Sequence, residues 1–408
     1  MQLFLKKHKN ILTYGRKSII IIYHGKVLNC AKTMQSFKLP FQKDLYPGKD
    51  GINNMEIKIT KTTNLGVCPP ENELGFGKIF SDHMFLMDYE EGKGWHDARI
   101  VPFGNLSLHP ASTVLHYGAE IFEGLKAYRC EDGSVRLFRP MENIKRMNTS
   151  ADRMCLPLLD EQDFLEALTV FVKLEEKWVP KSFGTSLYLR PFMFGNDEHL
   201  GVHGVKRATF MIIASPSGSY YAEGINPVKI MIESEDVRAV RGGTGFAKCG
   251  GNYAASTRAG ERAAKKGYTQ VLWLDGVERK YIEEVGAMNV MFKIDGKVVT
   301  PALTGSILSG ITRKSCIEVL RDMGYEVEER LLSVDELVDA MKRGKLEEAW
   351  GCGTAAVVSP IGTLCYEDVE YTVNGGGIGE VTAKLYDTLT GIQWGKKQDK
   401  YGWIYEIR

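Results

Sequence analysis

The sequence has no Cys-x-x-Cys pair and no regular cysteine spacing; its eight cysteines stand at 30, 68, 130, 155, 249, 316, 352 and 365. In a chain of 408 residues that scatter excludes a disulfide framework and a zinc site, and it implies reduced thiols in a cytosol-like compartment. Neither sign of charge is in excess. Fifty-two Lys and Arg against 51 Asp and Glu leave a formal net charge of +1, which gives no basis for a nucleic-acid or acidic-partner surface. Long apolar runs are missing as well. The strongest, residues 19–23, is far too short to span a bilayer. There is no internal repeat, and the eight histidines show no metal-ligand spacing, so no metal is expected.

The N-terminal end lacks acid. No Asp or Glu precedes Asp44, while Lys and Arg occur nine times by then. A basic, acid-free segment can be an organelle presequence, but those favour Arg and Ser, and this one is Lys-rich. The alternative is an extension in front of a folded protein that begins near Met34 or Met55. Met55 opens Glu-Ile-Lys-Ile-Thr, an immediate strand-like alternation, which favours the extension. Residues 1–54 are expected to be poorly ordered. The expected location is cytoplasmic, with an organelle the alternative if residues 1–54 are a presequence.

What the chain does have in plenty is glycine: 43 residues, above the ~7% of ordinary proteins, and many of them in tight loops. Its 44% hydrophobic and 25% charged residues are those of a soluble globular protein, and its length suits one or two domains. Residues 56–60, 79–89 and 98–103 alternate as strands, the last two joined by a turn at 91–94 as a hairpin. Residues 114–128 mix loop and helix ahead of a strand. Asp132-Gly133 is a hairpin turn before the strand 135–138. Helices are predicted over 141–154 and 160–178, and strands over 186–194 and 208–214. This half is α+β. Residues 215–227, rich in Ser, Pro, Gly and Asn, read as a linker. After it come strands at 228–233, 271–275, 287–294 and 298–299, and helices at 254–266, 311–323, 333–343 and 380–392, Ser333-Val-Asp-Glu336 forming a capping box. Two further strands, 348–350 and 356–359, frame the loop 351–355. The domains expected are 55–214 and 228–408.

The chain is organised around Thr244-Gly-Phe-Ala-Lys-Cys-Gly-Gly-Asn-Tyr253. Lys248 stands among small residues, where glycine lets backbone approach closely. A lysine so placed can be desolvated, which lowers its pKa and leaves a neutral amine able to form a Schiff base. Taken alone, the stretch favours a glycine loop with a solvated lysine, since most lysines keep their heads in water. Leu308-Ser-Gly-Ile-Thr312 ends a glycine loop where a helix begins, an anion site suited to phosphate or else an ordinary helix start capped by Ser309. Arg146 lies beside the apolar face of its helix and can hold the same phosphate bidentately. Glu284 enters an apolar strand, where a partly buried carboxylate needs a cation such as a protonated ring nitrogen; the alternative is a strand-end glutamate in water, as its neighbour Glu283 is expected to be. Gly353-Thr-Ala-Ala356 offers backbone N–H groups for a carboxylate. Gly375-Gly-Gly-Ile-Gly379 has no preceding apolar strand and reads as a turn. Together these are the parts of a pyridoxal-phosphate enzyme.

From about residue 74 to the C-terminus the sequence resembles the branched-chain amino acid aminotransferases, a group of class IV pyridoxal-phosphate enzymes. The resemblance rests on Phe76-Gly-Lys, His116-Tyr-Gly, Phe122-Glu-Gly-Leu-Lys-Ala127, Arg139-Pro with Asn143 and Arg146-Met, and Tyr188-Leu-Arg-Pro191. It continues through Lys248-Cys-Gly-Gly-Asn-Tyr253, Glu284-Val-Gly286, Gly310-Ile-Thr-Arg313 and Gly353-Thr-Ala-Ala356. It implies the fold type IV architecture, a small α/β domain and a larger pseudo-barrel domain, in a homodimer. It implies that Lys248 carries pyridoxal 5'-phosphate and shuttles the proton, that Glu284 faces the ring nitrogen, and that Tyr253 faces the phenolic oxygen. Arg146, Ile311, Thr312 and Thr354 would hold the phosphate. Phe76, Tyr117 and Phe122 would wall an apolar pocket, Thr354 and Ala355 would bind the α-carboxylate, and Tyr188 and Arg190 the distal carboxylate of glutamate. The implied reaction moves an amino group between L-leucine, L-isoleucine or L-valine and 2-oxoglutarate. Ala356 and Ser359 stand where some relatives carry a Cys-x-x-Cys thiol switch, so none is expected. Ala287 replaces a threonine of some relatives. A D-amino acid aminotransferase or an aminodeoxychorismate lyase would share the lysine and glutamate, but the Tyr188-Leu-Arg190 segment and the aromatic wall argue against both. A binding protein without activity is disfavoured by the intact Lys248, Glu284 and Arg146.

Overall fold

The computed structural model describes residues 55–218 and 225–408, and the backbone of three short strands nearer the N-terminus. Those strands, Thr13–Gly15, Ser18–Tyr23 and Lys26–Asn29, pair antiparallel in chain order within a unit of their own. The expectation for residues 1–54 otherwise lies outside the described residues, as does the middle of the 215–227 linker. Residues Asn54–Arg408 form the second unit, which holds two nine-stranded sheets.

The first sheet grows from hairpins. Alternating residues put His83–Glu90 and Gly94–Pro102 antiparallel, with His83 opposite Pro102 and Glu90 opposite Gly94. The strand expected over 56–60 shrinks to Lys58–Ile59 and lies parallel to Gly94–Pro102 at the sheet edge. Asp132-Gly133 turns Leu125–Arg129 into Val135–Phe138. At the centre, Ser186–Gly195 and Arg207–Ser217 pair over ten residues, from Ser186 opposite Ser217 to Gly195 opposite Ala208. Three helices accompany it: α1 (Thr113–Tyr117), α2 (Pro140–Arg153) and α3 (Glu161–Leu174). Ile144, Met147 and Ala151 of α2 and Phe164, Leu168 and Phe171 of α3 share one buried core with Phe85, Leu187, Leu189 and Phe210. Each such side chain contributes roughly 1.5–3 kcal/mol by leaving water. Asp160 caps α3, its carboxylate accepting from the Gln162 and Asp163 amides.

The second sheet closes on itself. Ile282–Val285, Gln270–Leu274, Val228–Ile232, Val357–Tyr366, Leu346–Gly353 and Met288–Ile294 follow one another, and the last pairs back to the first. This six-stranded barrel encloses Ile230, Leu272, Val285, Val290, Phe292 and Leu364. Around it lie α4 (Gly250–Lys265), α5 (Ile311–Asp322), α6 (Val334–Lys342) and α7 (Glu380–Gln393). Cys316 and Leu320 of α5 and Leu385 and Leu389 of α7 pack with Trp350 and Val358 of the barrel wall. Helix α4 begins four residues before the predicted start. Gly250 and Gly251 are poor helix formers, but tertiary contacts at its first turn override propensity. Glu120–Phe122, Val327–Arg330, Val369–Thr372 and Ile404–Glu406 were not foreseen as strands; they are three or four residues long and lack a clear alternation. Among the described residues no helix is long and apolar enough to cross a membrane.

Candidate active site

Lys248 lies where the first sheet meets the barrel, held from both sides. Its backbone N–H donates to Ser150 Oγ of α2 at 2.9 Å, and its carbonyl accepts from the Phe122 N–H at 2.9 Å. The neighbouring Ala247 and Cys249 are buried in the core of the first sheet. Asn252 closes the loop from within, donating to the Thr244 and Ala247 carbonyls at 2.9 Å each. Gly245 has no room for a side chain, because a Cβ there would overlap the Ser306 backbone. The close approach that the glycines suggest is therefore real at this position.

The Lys248 side chain reaches into a recess whose walls include Arg146, Glu284, Ile311, Thr312 and Thr354. Its Nζ donates to Tyr253 Oη at 2.8 Å and sits 4.7 Å from the centre of the Phe122 ring. Burial lowers its pKa to about 8, with the Arg146 charge adding to the effect and Glu123 opposing it. Tyr253 is pushed up to about 12 by burial and by Glu284. Glu284 is buried on the barrel strand Ile282–Val285, and desolvation raises its carboxyl to about 7 against the pull of Arg238. Arg238 Nε lies 2.5 Å from Glu284 Oε2, and Asn289 Nδ2 donates to Glu284 Oε1 at 3.1 Å.

Arg146 lies mostly buried at the edge of the recess. Its Nε and Nη2 grip both oxygens of Glu123 at 2.8 and 2.9 Å, and its Nη1 donates to the Ser309 carbonyl at 3.2 Å. Burial pushes the Glu123 carboxyl up, but the Arg146 guanidinium more than offsets this and the net shift is down. Helix α5 opens at Gly310 with no side-chain cap, so Ser309 is not the cap; its carbonyl serves Arg146 instead. The first amides of α5 and its positive dipole end thus remain free toward the recess.

The other expected residues fall into two groups. Phe76, Tyr188, Arg190 and Phe122 form a chain: Phe76 and Tyr188 rings lie 5.0 Å apart, Arg190 Nη2 donates to Tyr188 Oη at 3.0 Å, and the Arg190 guanidinium stands 4.7 Å over Phe122. The Phe122 ring therefore has both the Arg190 and Lys248 cations near 4.7 Å from its centre. Arg190 Nε is buried with no partner among the described residues. Thr354 borders the recess, and Ala355 follows it in the turn between two barrel strands. Tyr117 stands apart, 41% exposed, its hydroxyl accepting from the Gly201 N–H at 2.8 Å.

Glu283 corrects the expectation of a solvated carboxylate. It is buried, because its strand is covered on both faces, and it accepts a hydrogen bond from Ser306. Two further groups escaped the sequence reading. Arg238, the partner of Glu284, lies in a polar stretch with no periodicity to mark it. Glu123 and Lys126 sit inside the motif 122–127, where nothing local distinguishes a buried charge from a strand-edge one. Cys352, expected near the site from the resemblance, borders the recess beside the Cys316 thiol of α5; both are buried, and burial pushes Cys316 far up.

The donor set fits pyridoxal 5'-phosphate: a buried amine, a buried carboxylate across the recess, a phenol beside the amine, and free helix N-terminal amides next to an arginine. The family described as amino-transferase class IV matches residues 120–364. The chain belongs to this family. The class IV aminotransferase is 53% identical over 356 residues to branched-chain-amino-acid aminotransferase 2 of Bacillus subtilis, covering 87% of this chain and 98% of that protein. It is 54% identical over 348 residues to a probable branched-chain-amino-acid aminotransferase of Staphylococcus aureus, covering 85% of this chain and 97% of the other. The crystal structure of the Escherichia coli branched-chain amino acid aminotransferase superposes with a TM-score of 0.68 at 28% identity, over 80% of this chain and 99% of that one. The T.th. branched-chain amino acid aminotransferase complexed with N-(5'-phosphopyridoxyl)-L-glutamate gives 0.65 at 26%, over 79% and 98%.

Proposed function

We propose that this aminotransferase moves the amino group reversibly between L-leucine, L-isoleucine or L-valine and 2-oxoglutarate, by a ping-pong route through bound pyridoxal 5'-phosphate. The observation that carries the reading is the buried Lys248 amine, hydrogen-bonded to Tyr253 and facing Glu284 across one recess. The cofactor, when bound, supplies an electron-accepting ring and the carbon that takes up the amino group. Lys248 is the base: with its pKa near 8 a useful fraction of the amine is neutral at physiological pH and able to take the Cα proton. Tyr253 orients that amine. Glu284, kept in place by Arg238 and Asn289, offers a carboxylate to a protonated ring nitrogen. Arg146, the Ile311 and Thr312 amides and Thr354 suit the phosphate, Arg146 being held in register by Glu123.

Substrate choice follows from the outer wall. Phe76 and Phe122 give an apolar surface for a branched side chain. Arg190 carries spare donor capacity and leans on Tyr188, so a distal carboxylate can engage it when glutamate replaces leucine. Thr354 and Ala355 offer backbone groups to the α-carboxylate. We assign residues 55–214, which supply most of the first sheet, and residues 228–408, which form the barrel, to a small and a large domain. The exposed Tyr117, away from the recess of its own chain, fits a homodimer in which a partner completes each pocket. The described cysteines, all free thiols, fit a cytoplasmic location.

The test is the visible absorption of the cofactor-loaded protein before and after L-leucine alone. Loss of the visible band, with one equivalent of branched 2-oxo acid released, is the expected result. A band that ignores L-leucine and responds to D-alanine overturns the substrate reading. A purified protein that cannot take up the cofactor overturns the enzyme reading.

A further inference from the structure

One buried charge has no part in the chemistry above. Lys126 lies on Leu125–Arg129, in register with Tyr188, and is only 7% exposed. Its neighbours Leu125 and Ala127 pack into the core of the first sheet. Lys126 points the other way and crosses to the barrel, where its Nζ donates to the Ala355 carbonyl at 2.6 Å. No carboxylate compensates it: among the described residues the Ala355 carbonyl is its one hydrogen-bond partner, and burial alone lowers its pKa, to about 8. A buried ammonium without a counter-ion is costly, and it persists where something else requires it.

The turn it holds is unusual. Residues 353–357 reverse the chain between Leu346–Gly353 and Val357–Tyr366, and Val357 adopts φ +61°. A β-branched residue in the left-handed region is strained and stays there only when its surroundings fix it. Lys126 and Thr354 also border a second, narrow recess together with Ile311 and Thr312 of the α5 start. The ammonium is thus bonded to the turn itself, through the Ala355 carbonyl, and shares a wall with Thr354.

We propose that Lys126 is a positioning residue for the substrate α-carboxylate. Its hydrogen bond to Ala355 sets the angle of the Thr354 and Ala355 amides, and the incoming carboxylate supplies the negative charge that the ammonium lacks. The proposal rests on the reading that this turn binds the α-carboxylate.

The experiment compares ligands with and without that group on the cofactor-loaded enzyme. Binding of 4-methylpentanoate is measured by calorimetry. Single-turnover reaction rates are measured for L-leucine and for 3-methylbutylamine, which is leucine without its carboxylate. Lys126→Met is expected to weaken 4-methylpentanoate binding and the leucine second-order rate roughly ten- to hundredfold, the range for one charge-assisted hydrogen bond, and to leave 3-methylbutylamine unchanged. Lys126→Gln, which keeps an N–H donor in place, gives part of the loss and serves in its stead if the Met variant does not fold. Equal losses for leucine and 3-methylbutylamine, or no loss for either, overturn the role of Lys126. A wild-type enzyme that handles leucine and 3-methylbutylamine equally well overturns the carboxylate reading of the turn itself.

Discussion

Glu284 makes the protein's stability depend on pH in a calculable way. Its carboxyl ionises near 7 in the folded chain against an ordinary value of 4.5. A raised pKa means that the folded state binds the proton more tightly than the unfolded state. The favourable contribution is therefore complete below about pH 4.5 and is lost as pH rises through 7. Ionising Glu284 in the folded chain costs at most about 3 kcal/mol relative to water, from 1.36 kcal/mol per pKa unit. Between pH 5 and pH 8 the same two values give a loss of roughly 2–3 kcal/mol.

Glu284→Gln isolates that loss. The glutamine Oε1 can still accept from Asn289 and from the Leu308 N–H, while its amide nitrogen replaces the oxygen that faces Arg238. That donor-to-donor contact costs stability at every pH, but it adds no slope. Urea unfolding of the cofactor-free protein at pH 5 and pH 8, wild type beside Glu284→Gln at one concentration, measures the difference. The wild type is expected to lose roughly 2–3 kcal/mol more than the variant over this interval. In the loaded protein a cation opposite Glu284 favours the carboxylate, and the difference is expected to shrink. A wild type and variant with parallel pH profiles refute the reasoning, because Glu284 would then be ionising as it does in water.

Other outcomes follow from single contacts. Arg190→Met should cut kcat/KM for L-glutamate roughly ten- to hundredfold and spare L-leucine, since only glutamate brings a distal carboxylate to the guanidinium; steady-state kinetics with both substrates checks this. Gly245→Ala should displace the Lys248 loop, because its Cβ overlaps the Ser306 backbone; loss of cofactor uptake with lowered thermal stability is the expected readout. Ser333→Ala removes the hydroxyl that accepts from the Glu336 amide at 3.1 Å and should cost about 1 kcal/mol in urea unfolding, with kcat unchanged.

How much of this was legible in the sequence depends on the range of the forces involved. The long central strands, α2, α3 and the capping box of α6 announce themselves because period and cap are local properties. Lys248 was legible for the same reason: a lysine flanked by glycines implies close backbone packing, and Gly245 against Ser306 is that packing. Barrel closure was legible only through the family resemblance and not from local pattern, since the pairing of Ile282–Val285 with both its neighbours is decided by geometry across the sheet. The partners of the site charges were hidden likewise. Glu284 asked for a cation, and the sequence supplied a ring nitrogen as candidate, yet the chain meets much of that need itself with Arg238, 46 positions earlier. Arg146 was expected to wait for a phosphate, yet Glu123 already occupies two of its donors. Both discrepancies have one cause. A buried charge must be balanced in the empty protein as well as in the loaded one, or the site would unfold between turnovers. Arg238 and Glu123 therefore hold the anion and cation sites in shape before any ligand arrives. Lys126 departs from that rule: it keeps its charge without a carboxylate beside it, and the balance it lacks is one that a bound α-carboxylate can supply.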